Sequence, residues 1–261
     1  MIAYMIHMLK ITVLCVASLW AFAAVADNTP RIGYVRPLVG TDGFGNVYPG
    51  AQVPFGGIQI SPDTDNDYYD AAAGYKYAHK TLMGFSLTHL SGTGIPDLGD
   101  FLFMPGVGEI KLTPGTHDDP DAGYRSRYSH EREWCSPAYY AVDLLDSGVK
   151  AEMTAAQRSG VLRFTYPEAD DAFILIDMRH TLWWKCRWAN LRKEDDHTIT
   201  GYKLVQGWGA ERHIYFVAEF SEPLDDFGIL DGGKRVCYNT KRFRSDNEAW
   251  GDDLKFWVRF A

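Results

Sequence analysis

The residues best suited to chemistry lie between positions 63 and 100. Their centre is the run Gly84-Phe85-Ser86-Leu87-Thr88-His89-Leu90-Ser91-Gly92-Thr93-Gly94. It sets one histidine among glycines and small hydroxyls, and it leads into Ile95-Pro96-Asp97-Leu98-Gly99-Asp100. Such a string matches neither a helix nor an ordinary strand. Gly92, Gly94 and Gly99 call for tight turns or for backbone packed close to another group. His89, Asp97 and Asp100 are then held on a shaped loop, and loops on a rigid scaffold are where sites usually lie. The competing reading is a well-packed structural loop.

Several specific chemistries fail on spacing. Ser91 is near His89 in sequence, but Thr88-His89-Leu90-Ser91-Gly92 is not a nucleophile elbow, and a triad is defined by geometry. Asp63-Thr64-Asp65-Asn66-Asp67 begins like a calcium loop. Its sixth position is Tyr68 instead of glycine and its twelfth is Gly74 instead of glutamate, so a solvated acidic turn is the better reading. Gly43-Phe44-Gly45-Asn46 starts like a dinucleotide fingerprint but has no third glycine. Inverting glycosidases need an acid and a base with a water between them. Asp97, Asp100, Glu131 and Glu133 are available carboxylates, but nothing local marks a pair, and a loop or surface acid is the default for each.

The elements that must position these groups read as strands. Segments 149–155 and 139–145 alternate apolar and polar residues around Asp146-Ser147-Gly148, a hairpin turn by composition. Segments 161–166, 173–176, 201–208, 213–220 and 255–260 follow with turn residues between them. Regularly spaced strands of this kind predict an all-β antiparallel two-sheet sandwich with few short helices. Trp183-Trp184-Lys185-Cys186-Arg187-Trp188 reads either as an aromatic sugar platform or partner surface, or as a bulky connection on the sandwich edge. The second is the plainer account.

The 261 residues, 46% hydrophobic and 23% charged, suit a soluble domain with a sizeable core. Aromatics at 14% fit both a β-rich core and sugar stacking. A net charge of −8 argues against nucleic acid and anionic membrane as partners. Residues 1–26 read as a secretory signal: Lys10, then an apolar run, then Ala24-Val25-Ala26 before Asp27. A mature chain from residue 27, secreted or periplasmic, is expected. Leu14 before Cys15 argues against lipidation. Cys135, Cys186 and Cys237 then remain, an odd number with no zinc spacing, and they read as small buried hydrophobes.

Blocks in order along the chain resemble the N-terminal domain of the family 92 glycoside hydrolases, secreted α-mannosidases. The opening block runs Tyr34-Val35-Arg36-Pro37-Leu38-Val39-Gly40-Thr41-Asp42-Gly43-Phe44-Gly45-Asn46-Val47-Tyr48-Pro49-Gly50-Ala51. Val53-Pro54-Phe55-Gly56, Ile60-Ser61-Pro62-Asp63-Thr64, Gly74-Tyr75-Lys76-Tyr77 and the run from Gly84 to Gly94 continue it. Ser129-His130-Glu131, Ser136-Pro137-Ala138-Tyr139-Tyr140, Gly201-Tyr202 and Phe216-Val217-Ala218-Glu219-Phe220-Ser221 complete it. The likeness covers residue 34 to the end, and the combination is specific where no single block is.

The resemblance implies a large β-sandwich (a supersandwich) over residues 27–261. It implies a calcium-dependent, inverting exo-mannosidase acting on N-glycan mannose. In the family the general acid, general base and calcium ligands lie mainly in a following helical-barrel domain, which is expected to be missing from these 261 residues. No catalytic residue and no metal is therefore assigned to this chain alone. On the same analogy Gly43, Phe44, Gly45 and Asn46 approach the substrate, while His89, Asp97 and Asp100 brace the domain interface. Tyr69 stands where the family often has a sugar-contacting tryptophan, and Ala72 where it has a cysteine. The expected partners are a mannose-containing glycan and the barrel domain. The other functional readings are a stand-alone carbohydrate-binding module without catalysis, and a decayed product that folds poorly.

Overall fold

The computed structural model describes residues 30–67, 69–235 and 245–260, and the statements below concern those residues. The proposed signal at 1–26 and Cys237 fall outside them. Two compact units divide the chain at Val35. The first contributes a 3-10 turn, Arg31–Tyr34. The second, Arg36–Ala261, holds all the strands.

An eight-stranded sheet forms the first layer. Its order is Ala51–Gln52, Gln59–Asp63, Gly84–Ser86, Leu102–Val107, Ala172–Asp177, Leu254–Phe260, Asp226–Asp231 and Lys234–Arg235. Two four-stranded sheets oppose it, Gly160–Thr165, Lys150–Ala155, Tyr139–Asp143, Glu133–Ser136 and Arg212–Glu219, Thr198–Val205, Cys186–Lys193, Glu248–Gly251. Thr81–Leu82 and Ser126–Arg127 pair separately. The pairings are antiparallel throughout, so the all-β sandwich is the observed architecture. Its second layer is two sheets instead of one, joined by Leu162 and Phe164, which pack against both apolar clusters.

Side-chain alternation explains the layering. Phe103 pairs with Ile176, Ile176 with Phe256 and Phe256 with Ile229, so the four share one face. That row meets Phe216 from the second layer, 6.4 Å from Phe103 and 4.4 Å from Phe101 between ring centres. The opposite face carries Leu102, Asp177 and Lys255 in register, and Tyr124 from a long connection donates its hydroxyl to Asp177 Oδ2 at 3.0 Å. Ala172–Asp177 is buried along its whole length, as a central strand covered on both faces should be.

The strands read after position 139 lie within a few residues of those observed. Earlier ones escape the alternation reading. Gly84–Ser86 is a strand although its composition suggests none. A Cβ on Gly84 would lie 2.8 Å from Phe103 O, so glycine is there to let two backbones approach. Trp188 belongs to the strand Cys186–Lys193 and not to a connection.

Two glycines of the loop differ in what they do. Gly99 has φ +72°, and a Cβ there would sit 2.6 Å from Leu182 Cγ and 2.8 Å from its backbone nitrogen. Gly92 has φ +75° with nothing within 4 Å. Gly92→Ala is expected to lose only the cost of the left-handed conformation, about 1–2 kcal/mol. Gly99→Ala adds a clash with fixed backbone, so its urea midpoint should fall distinctly further. Equal midpoints would refute the packing role.

Candidate functional site

A chain of buried polar groups underlies one rim of the sandwich, and it starts at Asp63. That residue ends the strand Gln59–Asp63 and is fully buried, which corrects the reading of a solvated acidic turn. His89 Nε2 lies 2.8 Å from its Oδ1, and His180 Nε2 lies 2.7 Å from its Oδ2. His89 Nδ1 lies 2.7 Å from Gln59 O. Both nitrogens of His89 thus face acceptors, the pattern of a two-donor imidazolium. Burial pushes the Asp63 carboxyl up, but the charge of His89 and the hydrogen bonds from both histidines outweigh it and hold it well below the usual carboxylate range.

The chain continues into the second layer. Lys203, fully buried, donates to His180 O and lies 3.5 Å from Asp100 Oδ1. Arg212 donates to Asp100 Oδ2 and, at 3.3 Å, to Asp97 Oδ1. Thr88 Oγ1 donates to Asp100 Oδ2 at 2.8 Å. Asp97 accepts from Leu98 N at 2.7 Å and Trp208 N at 3.0 Å. Asp97 and Asp100 are therefore buried and neutralised by cations, which corrects the default of loop or surface acids. Glu133 is buried as well. It accepts from Tyr140 at 2.6 Å and Tyr75 at 2.8 Å and lies 2.6 Å from His130 Nδ1. Glu131 sits in an exposed turn.

No nucleophile relay exists here. Ser86 Oγ and Asp63 Oδ1 both meet the same nitrogen of His89, and all three residues are buried. A relay needs the nucleophile and the orienting acid on opposite nitrogens. Cys135 and Cys186 are free thiols, and burial pushes both up.

Above this base lies an exposed aromatic rim. Gly43 has φ +59° and stands in open space, whereas a Cβ on Gly45 would lie 2.0 Å from Gly40 O. The tight turn presents Phe44, 97% exposed, and Asn46, whose φ is +50°. Gly92 N donates to Asn46 O at 2.6 Å, so the turn is fastened to the His89 loop. Tyr69, 58% exposed with φ +67°, lies on a second loop. That loop meets Trp183, whose amide donates to Asn66 O at 3.1 Å and whose φ is +73°. Trp184 Nε1 donates to Pro96 O at 2.9 Å, and Leu182 N to Leu98 O at 3.0 Å. Segment 91–98 therefore connects both predicted sugar-facing loops, with His89, Asp97 and Asp100 beneath. Bulky residues at positive φ cost of order 1–3 kcal/mol each and cluster at functional sites.

The sequence offers Trp183 only within a run read as a sugar platform or as a bulky connection, and it marks none of Asp63, His180, Lys203, Arg212 and Trp208 as a site residue. Asp63 stands inside a block shared with the family, which was the available signal. The cations come from strands paired far along the chain, so nothing local marked them.

The sequence pattern described as "Glycosyl hydrolase family 92 N-terminal domain" matches residues 34–261. The chain belongs to this family. The family GH92 α-mannosidase BT3965 from Bacteroides thetaiotaomicron is 69% identical with TM-score 0.85, over 88% of this chain and 31% of that one. The GH92 family glycosyl hydrolase ccman5 is 26% identical with TM-score 0.73, over 88% and 30%. An uncharacterized secreted glycosidase of Arthroderma benhamiae is 30% identical over 138 residues, 51% of this chain and 17% of that protein. The family 92 domain here thus spans about a third of the solved relatives' length. Among the described residues no helix is long and apolar enough to cross a membrane.

The side-chain group with metal-like spacing among the described residues does not suit the calcium implied by the family. Calcium takes six to eight oxygens. The group found with metal-like spacing is Asp65, His79 and His117, with nitrogen donors in two of three places.

The buried base makes a direct prediction. Asp63→Asn leaves the buried His89 cation uncompensated and should cost about 3–5 kcal/mol in urea denaturation. The sign in pH follows from a depressed acid: its contribution is complete above the unfolded aspartate value of about 3.9 and is lost as pH falls below it. The gap between wild type and Asp63→Asn should therefore narrow below pH about 4. A gap constant between pH 3 and 7 would refute the charge pairing.

Proposed function

We propose that this domain forms the substrate-facing side of an α-mannosidase cleft, within a secreted glycosidase whose acid, base and calcium lie in a separate helical-barrel domain. The observation that carries the reading is the rim of exposed Phe44, Tyr69 and Trp183 beside half-buried Asn46, three of whose residues hold left-handed backbone over a buried base. Folding alone gives no reason to keep aromatic rings exposed in strained conformations. A mannose ring offers an apolar C–H face to Tyr69 or Phe44 and hydroxyls to Asn46 and to the turn backbone. The Bacteroides relative, 69% identical, was solved in complex with mannoimidazole, a further support for mannose as the sugar class. Residues 1–26 act as the secretory signal, and a mannose-containing glycan and the barrel domain are the partners.

The 261-residue chain by itself should release no mannose from an α-mannoside, and release would overturn the division of labour. In the enzyme reconstituted with a family barrel domain, Tyr69→Ala and Phe44→Ala should each lower kcat/KM on order of tenfold, about 1.4 kcal/mol. Unchanged kcat/KM in both, with the fold intact by circular dichroism, would remove the rim from the substrate path. The stand-alone binding module separates by calorimetry: it requires the isolated chain to bind mannobiose with Kd of roughly μM to mM, and it requires the barrel to add nothing.

A further inference from the structure

Away from the rim, Asp65, His79 and His117 come from three separate stretches of chain, and one ligand atom of each lies within 4.8 Å of the others. We propose that these three side chains bind a divalent transition-metal ion, zinc being the best match to two imidazoles and a carboxylate with an open fourth position.

The hydrogen bonds around His117 carry the argument. Arg125 Nη1 donates to Thr64 O at 2.6 Å and to Thr81 Oγ1 at 3.0 Å, which uses both of its hydrogens. It also lies 3.3 Å from His117 Nδ1 with no hydrogen left to give. His117 Nδ1 lies 3.0 Å from Thr81 Oγ1, a hydroxyl able to accept from it or donate to it. In the tautomer with the proton on Nδ1, the lone pair of Nε2 faces Asp65 Oδ2 at 2.8 Å, and a cation held by both groups selects that tautomer. A hydrogen bond at the distal ring nitrogen is the outer-shell arrangement by which metal-binding histidines are oriented.

His79 supports the same assignment. Its Nδ1 lies 2.9 Å from Thr64 Oγ1 and its Nε2 2.9 Å from Asp70 Oδ2, so Asp70 is at hand as a further oxygen donor. The other charges facing the group are Arg125, occupied as described, and Lys76, bound to Asp70. Around a tetrahedral zinc the donors stand roughly 3.3 Å apart, so His117 and Asp65, 2.8 Å apart, would open slightly while the group, now within 4.8 Å, draws in around the ion. His117 and Thr81 border an open surface concavity with Lys80 and Asp118, so an ion has a way in. The site would tie the loop that starts at Asp65 to the long connection carrying His117. It is independent of the sugar-binding reading.

The full chain, stripped with EDTA, reloaded with zinc and dialysed, should hold about one zinc by mass-spectrometric metal analysis. His117→Ala and Asp65→Asn should each drop to background, while His213→Ala keeps the metal. Cobalt(II) in the wild type should give the visible absorption of a tetrahedral nitrogen–oxygen site with no thiolate charge-transfer band, which decides the matter even where a variant fails to fold. No stoichiometric zinc, a thiolate band from cysteine, or full loading of both variants overturns the proposal. So does a metal-free imidazolium at His117 seen by nitrogen NMR in the presence of zinc.

Discussion

A carboxylate buried between two histidines is the constraint from which the rest of this domain can be followed. Asp63 is taken fully out of water and repaid by His89 and His180. Those partners arrive from a loop after one strand and from the end of another, so the three segments can be arranged in one way only if the charge is to stay paired. Gly74 belongs to the same constraint. A Cβ there would lie 2.0 Å from Asp63 Oδ1, and its φ is +85°, so this backbone is shaped around the carboxylate. From His180 the pairing passes through Lys203 to Asp100, then through Arg212 to Asp97, crossing from the first layer of the sandwich to the second.

That path explains how the rim tolerates its conformations. Asn46, Tyr69 and Trp183 each sit at positive φ. Left-handed backbone under bulky side chains persists where surrounding structure over-determines it. Here the over-determination is visible: Asn46 O is held by Gly92 N, Trp183 N by Asn66 O, and the loop between them by Asp97 and Asp100. An apolar core under the same loops would pack as well, but it would not dictate which of several loop registers is adopted. Charges that must find named partners do.

How far the sequence was legible follows the same physics. Hairpins between 139 and 166 were readable because alternation and turn residues are local. Thr198–Val205 shows it best, with every second residue buried. Gly84–Ser86 and Leu102–Val107 were not readable. Their residues are buried on both faces, so alternation vanishes, and Gly84 and Pro105 look like turn residues. For the site, the turn at Gly43 to Asn46 and His89 stand in blocks shared with the family, and Asp97 and Asp100 lie just beyond the run that holds His89. Their burial was not readable. An aspartate among aspartates, as at 63–67, reads as solvated until the strand that ends at Asp63 is seen to run inward.

The buried acids also bear on where chemistry can take place. A general acid or base must exchange a proton with substrate or with one water, and it must be reachable to do so. Asp63, Asp97, Asp100 and Glu133 are each enclosed and engaged by cations, histidines or tyrosine hydroxyls. Releasing any of them toward a substrate would leave a buried cation or hydroxyl without its partner, at a cost comparable with a large share of a domain's net stability. The carboxylates that hold this fold together are thereby removed from acid–base work. What the rim keeps exposed is the aromatic surface of Phe44, Tyr69 and Trp183 and the turn backbone at Gly43, none of which carries an ionisable carboxyl or imidazole.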